Sequence, residues 1–150
     1  MTTTAPQLAV TRIVNAPRSR VYESFTDPHH FAAWWGPIGN SLSDVEFDVR
    51  PGGFLRWTES FPADPSIGTQ GRIDLTEVVD GELLDGIMRI SGNLPRGYEP
   101  FETRMRVEFY DEDDGRTRLE VRQWLPEGYV SPTENGWSEA FSKLDAVLAA

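Results

Sequence analysis

From Asp44 to Trp124 the dominant spacing of apolar residues is two, and this limits the fold more than any other feature of the chain. Val45, Phe47 and Val49 alternate with Glu46, Asp48 and Arg50. Met105, Val107 and Phe109 repeat the pattern, as do Leu119 and Val121 on the way to Trp124. Between these runs, Phe54 to Phe61, Gly68 to Val79 and Glu82 to Ile90 read as further strands. They are separated by Pro51-Gly52-Gly53, by the Pro-containing loop Pro62 to Ile67, and by a tight Asp80-Gly81 turn. Ser91 to Pro100 reads as a loop. Asp111 to Asp114, followed by Gly115, reads as a solvated hairpin turn rather than a cation site.

Helical spacing is confined to the two ends of the chain. After a short strand candidate, Leu8 to Val14, Pro17 suits the start of a helix carrying Val21, Tyr22 and Phe25. Asp27-Pro28 opens a second short helix with Phe31, Trp34 and Trp35, which Gly36-Pro37 stops. At the far end, Ser131, Pro132 and Glu134 spell a capping box, and Trp137, Phe141, Leu144 and Leu148 then form an apolar stripe widened by Ala140 and Val147. Gly136 interrupts this helix at a cost of ~1 kcal/mol relative to alanine, which points to a close backbone approach or a softened first turn.

Hairpin-joined strands with so few strand–helix alternations exclude a doubly wound parallel sheet. The expected fold is α+β: a curved antiparallel sheet wrapped around a long C-terminal helix, with two short helices after the first strand. At 150 residues, one domain spanning 1–150 with its core at about 8–148 is expected.

Composition narrows the function. A formal net charge of -10, with Lys143 the only lysine, opposes the attraction to phosphate that dominates nucleic-acid affinity, so no nucleic-acid partner is expected. The absence of cysteine removes disulfides, thiolate metal sites and cysteine nucleophiles, and fits a cytoplasmic location. No apolar stretch reaches the roughly 18 residues of a membrane span, and the first residues lack the pattern of a signal peptide. Assembly is expected to be monomer or weak homodimer.

A curved sheet gripping one helix leaves a gap that aliphatic side chains close poorly, and such mouths bind ligands. Trp57, Phe61, Met88, Met105, Trp124, Trp137 and Phe141 are the large side chains expected around it, with Gln123 as the inward polar candidate because it continues the parity of Leu119 and Val121. Glu59 and Arg56 fall on opposite faces of one strand, and the sequence leaves open which of them faces the gap. Arg104, opposite in parity to Met105, is expected to point outward. His29 and His30 are adjacent, so they cannot serve one metal from one helix face, and neither a metal nor a cofactor is expected. There is no Gly-x-Ser-x-Gly elbow, phosphate-cradling glycine loop or His-Glu-x-x-His helix, and no catalytic residue is assigned.

Asp27-Pro28, Trp34-Trp35-Gly36-Pro37, Asp48-Val49-Arg50-Pro51-Gly52-Gly53 with Trp57, Gly71-Arg72, Thr117-Arg118-Leu119, Gly136-Trp137 and Lys143-Leu144 together carry a resemblance. From about Val10 to Leu148, the chain resembles the family related to the C-terminal domain of the activator of Hsp90 ATPase (AHSA1-like). That family lies within the START-like superfamily of helix-grip folds, which includes polyketide cyclases, lipid transfer domains and plant hormone-binding proteins. One departure is Val79-Asp80-Gly81-Glu82, where relatives often carry a Pro-Pro-Glu-Arg-like turn. The resemblance implies an internal cavity opening near the end of the C-terminal helix. It also leaves three functions open: binding a small apolar or aromatic molecule, cyclase- or hydrolase-like catalysis on a hydrophobic substrate, and association with a chaperone. The eukaryotic activator also uses a separate N-terminal domain, for which this sequence has no room, so binding of a small hydrophobic molecule is the favoured expectation.

Overall fold

The computed structural model describes residues 5–149. The chain runs through β1 (Leu8–Val14), α1 (Arg18–Thr26), α2 (Pro28–Ala32), β2 (Ser41–Asp48), β3 (Phe54–Ser60), β4 (Gly68–Val79), β5 (Leu83–Asn93), β6 (Phe101–Glu112), β7 (Arg116–Trp124) and α3 (Val130–Ala149). All seven strands form one antiparallel sheet in the order β1-β7-β6-β5-β4-β3-β2. The first two strands therefore lie at opposite edges, and α1 and α2 carry the chain between them across one face. Their side chains record the crossing. Tyr22 and Phe25 meet Phe109 on β6 edge to face, whereas Phe31 reaches Phe47 on β2 and Trp57 on β3.

Alternation sorts the sheet into two faces. Leu55 and Trp57, Ile73 and Leu75, Leu84 and Met88, Met105, Val107 and Phe109, and Leu119 and Val121 point inward and are buried. On α3, Trp137, Ala140, Phe141, Leu144 and Leu148 are the buried stripe, as the helical spacing requires. The outer face is a lattice of arginines and carboxylates. Arg89 bridges Asp74 and Glu102, Arg118 bridges Glu112 and Glu120, and Arg122 bridges Glu108 and Glu120. Asp85 differs from these exposed pairs because its side chain is only 5% exposed. It is offset by two guanidinium groups, Arg104 and Arg106, each at 2.9 Å.

Several local expectations are met and others shift. Asp27 caps α2 as expected, with Oδ1 accepting from the backbone N–H of His29 and His30 at 2.9 and 3.2 Å. These bonds hold the Asp27 carboxyl below its ordinary range. β2 begins at Ser41 instead of Asp44, through an irregular register between Ser43 and Glu46 at which Asp44 adopts φ 52°. β5 continues to Asn93, because Ser91 and Gly92 still pair with Gln70 and Thr69. The acidic turn is narrower than its charge run: Asp111 and Glu112 complete β6, and the reversal is made by Asp113–Gly115.

The capping box at Ser131 does not form. The first turn opens earlier, with Thr133 N–H donating to Tyr129 O at 3.2 Å, so Ser131 and Pro132 lie inside it. Pro132 is tolerated there because first-turn N–H groups have no intrahelical acceptor. α3 is fastened instead by its flanks. Lys143 Nζ donates to Trp35 O, Pro37 O and Asn40 Oδ1, Glu139 accepts from Ile38 N–H at 3.0 Å, and Asp145 pairs with Arg12.

Candidate functional site

Between the N-terminal half of α3 and the ends of β3, β4, β5, β6 and β7 the core is left unfilled. The space has a volume of about 290 Å³ and is walled mainly by apolar side chains. Trp35, Trp57, Met88, Ile90, Phe101 and Trp137 form its interior surface. The exposed residues Pro95, Tyr98 and Pro132 mark where it reaches the surface. Tyr98 and Tyr129 meet edge to face at 5.4 Å beside this mouth, and Tyr129 Oη both donates to Glu99 O and accepts from Glu99 N–H.

Two glycines make the geometry possible. Trp57 lies so closely on β4 that a Cβ on Gly71, its partner in register, would sit 2.2 Å from the indole ring. Only a residue without a side chain lets the ring flatten there. Gly136 acts in the opposite sense: a Cβ at this position meets no atom within 4 Å. The helix thus presents bare backbone to the cavity where any other residue would occupy part of it. Gly136 marks vacant space, not the close approach or softened turn expected from its position in the helix.

Polar groups on the wall are few. Glu59 follows Trp57 in parity and faces inward. Its Oε2 accepts from Asn40 Nδ2 at 2.5 Å, and its Oε1 accepts from Thr69 Oγ1 at 3.3 Å. Burial raises the Glu59 carboxyl above its ordinary value, and these two hydrogen bonds together with the Lys143 charge only partly offset it. Burial in turn lowers Lys143. Gly36, at φ +82°, packs so tightly against this carboxylate that a Cβ would lie 2.4 Å from Oε2. Among the described residues that line the cavity, Glu59 is the only one carrying a carboxylate, and none is Lys, Arg or His.

Gln123 is fully buried on β7. Its Oε1 accepts from Trp137 Nε1 at 2.5 Å, and its Nε2 has no hydrogen-bond partner.

The structure brings Trp57, Phe61, Met88, Gln123 and Trp137 to the cavity wall. It places three other expected residues elsewhere. Trp124 follows Gln123 directly in β7, so alternation turns it to the outer face, where the Arg104 guanidinium stacks over its ring at 4.3 Å. Met105 points inward but into the closed part of the core, near Leu55, Ile73 and Leu84. Phe141, one turn beyond Trp137, packs on Trp34 and Trp137. Sequence reasoning missed Trp35, Tyr98, Phe101 and Tyr129, and left Glu59 unassigned between two faces. The parity shared by Leu55, Trp57 and Glu59 was the available signal for Glu59; nothing local signalled the loop residues. His29 and His30 are exposed, and no group of metal-ligating side chains occurs among the described residues.

Comparison with known proteins agrees with this architecture. The family described as "Activator of Hsp90 ATPase homolog 1-like protein" matches residues 15–149. No curated protein matches significantly. Similar solved structures include a protein from Chromobacterium violaceum, 23% identical, with a TM-score of 0.79 over 95% of this chain and 97% of that one. A Mycobacterium smegmatis protein is 22% identical, with a TM-score of 0.78 over 95% and 90% of the two chains. An AHSA1 protein from Silicibacter pomeroyi is 17% identical, with a TM-score of 0.73 over 95% and 96%. At these identities the likeness establishes the helix-grip fold.

Proposed function

The chain belongs to the activator of Hsp90 ATPase homolog 1-like family, and from that premise we propose that it binds a small, mainly apolar or aromatic compound between the sheet and α3. The observation that carries this reading is the open, aromatic-walled space of about 290 Å³. That volume sits near the lower end of ligand pockets, at roughly 300–1,000 Å³. Elsewhere the core is densely filled: Phe25, Phe31, Trp34, Phe47, Phe109 and Phe141 contact one another or their neighbours ring to ring. A gap beside such packing forfeits dispersion contacts unless something occupies it.

Binding is favoured over acid–base catalysis because Glu59 has no second carboxylate or imidazole beside it on the wall, and of the two lining tyrosines Tyr98 stands exposed at the mouth and Tyr129 Oη is engaged by the Glu99 backbone. It is favoured over a purely protein-binding role because the exposed apolar surface of the sheet is interrupted by charge, as where Arg118 on β7 separates Ile13 on β1 from Tyr110 on β6. Native mass spectrometry of freshly purified protein, followed by solvent extraction, tests the reading. A released apolar compound that restores the added mass on titration supports it. Protein that carries no added mass, and whose tryptophan emission is unmoved by any apolar probe, would contradict it.

A further inference from the structure

We propose that the cavity selects neutral compounds bearing a carbonyl oxygen, which accepts a hydrogen bond from the unpartnered amide nitrogen of Gln123. This inference rests on the ligand-binding reading above and specifies the chemistry of the same site.

The orientation of Gln123 follows from its neighbour. An indole N–H only donates, so the Gln123 atom 2.5 Å from Trp137 Nε1 must be the amide oxygen. The amide nitrogen then points away from Trp137 with its donors unused. It belongs to a residue of the cavity wall but is 0% exposed, so a ligand oxygen meets it only as a neighbouring wall side chain gives way. A buried amide donor without an acceptor is costly, and one ligand oxygen relieves that cost. The backbone on either side is committed to the sheet, since Gln123 pairs with Leu8 on β1 and Met105 on β6. Rotating the amide would break its bond to Trp137, so the donor is fixed before a ligand arrives.

Charge decides between oxygen acceptors. A carboxylate or phosphate would bring negative charge into a wall whose one ionisable carboxylate is Glu59 and which has no lining cation. A ketone, aldehyde, ester or quinone oxygen supplies the acceptor without that repulsion. The flat walls of Trp35, Trp57 and Trp137 suit a planar body behind it.

The test compares fluorene with 9-fluorenone, which differ by the carbonyl oxygen. Affinities are measured for the wild type, for Trp137→Phe, and for the double variant Trp137→Phe/Gln123→Met, in which no freed indole N–H can replace the amide. The ratio of the two dissociation constants is read, because the solvation difference between the probes is common to all three proteins. From Trp137→Phe to the double variant, the preference for the ketone is expected to fall about tenfold, the worth of one such hydrogen bond. In the wild type, fluorenone and not fluorene should move the side-chain amide resonances of Gln123, a readout that does not depend on any variant folding. Fluorene and fluorenone binding with equal variant ratios, or fluorenone binding without moving the Gln123 amide, overturns this inference and leaves the ligand-binding reading standing. Failure of both probes to bind the wild type overturns both.

Discussion

Replacing Gly136 by a large apolar residue should stabilise the protein and weaken ligand binding together, a combination that follows only if the vacant space is real. Gly136 lies in the regular part of α3, its φ is not positive, and a Cβ there meets nothing within 4 Å. Gly136→Ala therefore gains helix propensity without a clash, about 1 kcal/mol. For a chain of 150 residues that raises Tm by ~2–4 °C. Gly136→Leu adds an isobutyl group to the α3 wall of the cavity, whose sheet wall carries Trp57 and Met88. It retains the propensity gain and buries additional apolar surface at about 25 cal/mol per Å², so its Tm should at least equal that of Gly136→Ala. Its affinity for fluorene should drop tenfold or more. Differential scanning fluorimetry and a fluorene titration on the three proteins provide the assay. A destabilised Gly136→Leu would mean that the space is filled, and unchanged fluorene affinity would mean that ligands bind somewhere else.

Other perturbations probe the surrounding frame. Phe141 is 1% exposed and packed between Trp34 and Trp137, so Phe141→Ala should cost ~3–5 kcal/mol by denaturant unfolding. Gly71→Ala forces a methyl group into the Trp57 indole and should cost ~1–3 kcal/mol while altering tryptophan emission; an unperturbed variant would show that the ring does not rest there. Glu59 carries a carboxyl raised above its ordinary 4.5. Between 4.5 and the raised value, the folded state holds more protons than the unfolded state, so this group's contribution to stability is present at low pH and is lost as pH rises through the window. Glu59→Gln should remove that decline, so the stability difference should move in the variant's favour as pH increases from 4 to 7. The same variant should narrow the preference for fluorene over fluorene-9-carboxylate, measured by competition.

The period-two runs and the C-terminal stripe made the sheet and the gripping helix legible, because each buries one face and so imposes its spacing on the sequence. The inward setting of Gln123 was readable for the same reason. Trp124 was misplaced by overlooking the same rule, since consecutive strand residues cannot share a face. The start of α3 could not be read because the Ser131-Pro132-Glu134 pattern is equally compatible with a first turn opening at Tyr129. Tyr98 and Phe101 escaped notice because loop and strand-end residues reach the cavity through the path of the chain, which leaves no period. Separating Phe141 from Trp137, one turn apart on the same stripe, required knowing where along α3 the core closes. Gly136 offered a sequence signal but not its meaning: a helix glycine marks contact or vacancy alike until the opposing wall is seen.

The five indole N–H resonances of the protein locate a bound ligand directly. Trp35, Trp57 and Trp137 line the cavity, whereas Trp124 lies under Arg104 on the outer face of the sheet. In a nitrogen–proton correlation spectrum titrated with fluorene, the resonances of Trp35, Trp57 and Trp137 should shift together along one saturating isotherm while that of Trp124 stays in place. Shifts led by Trp124, or no saturable shift in the three cavity indoles, would contradict the account.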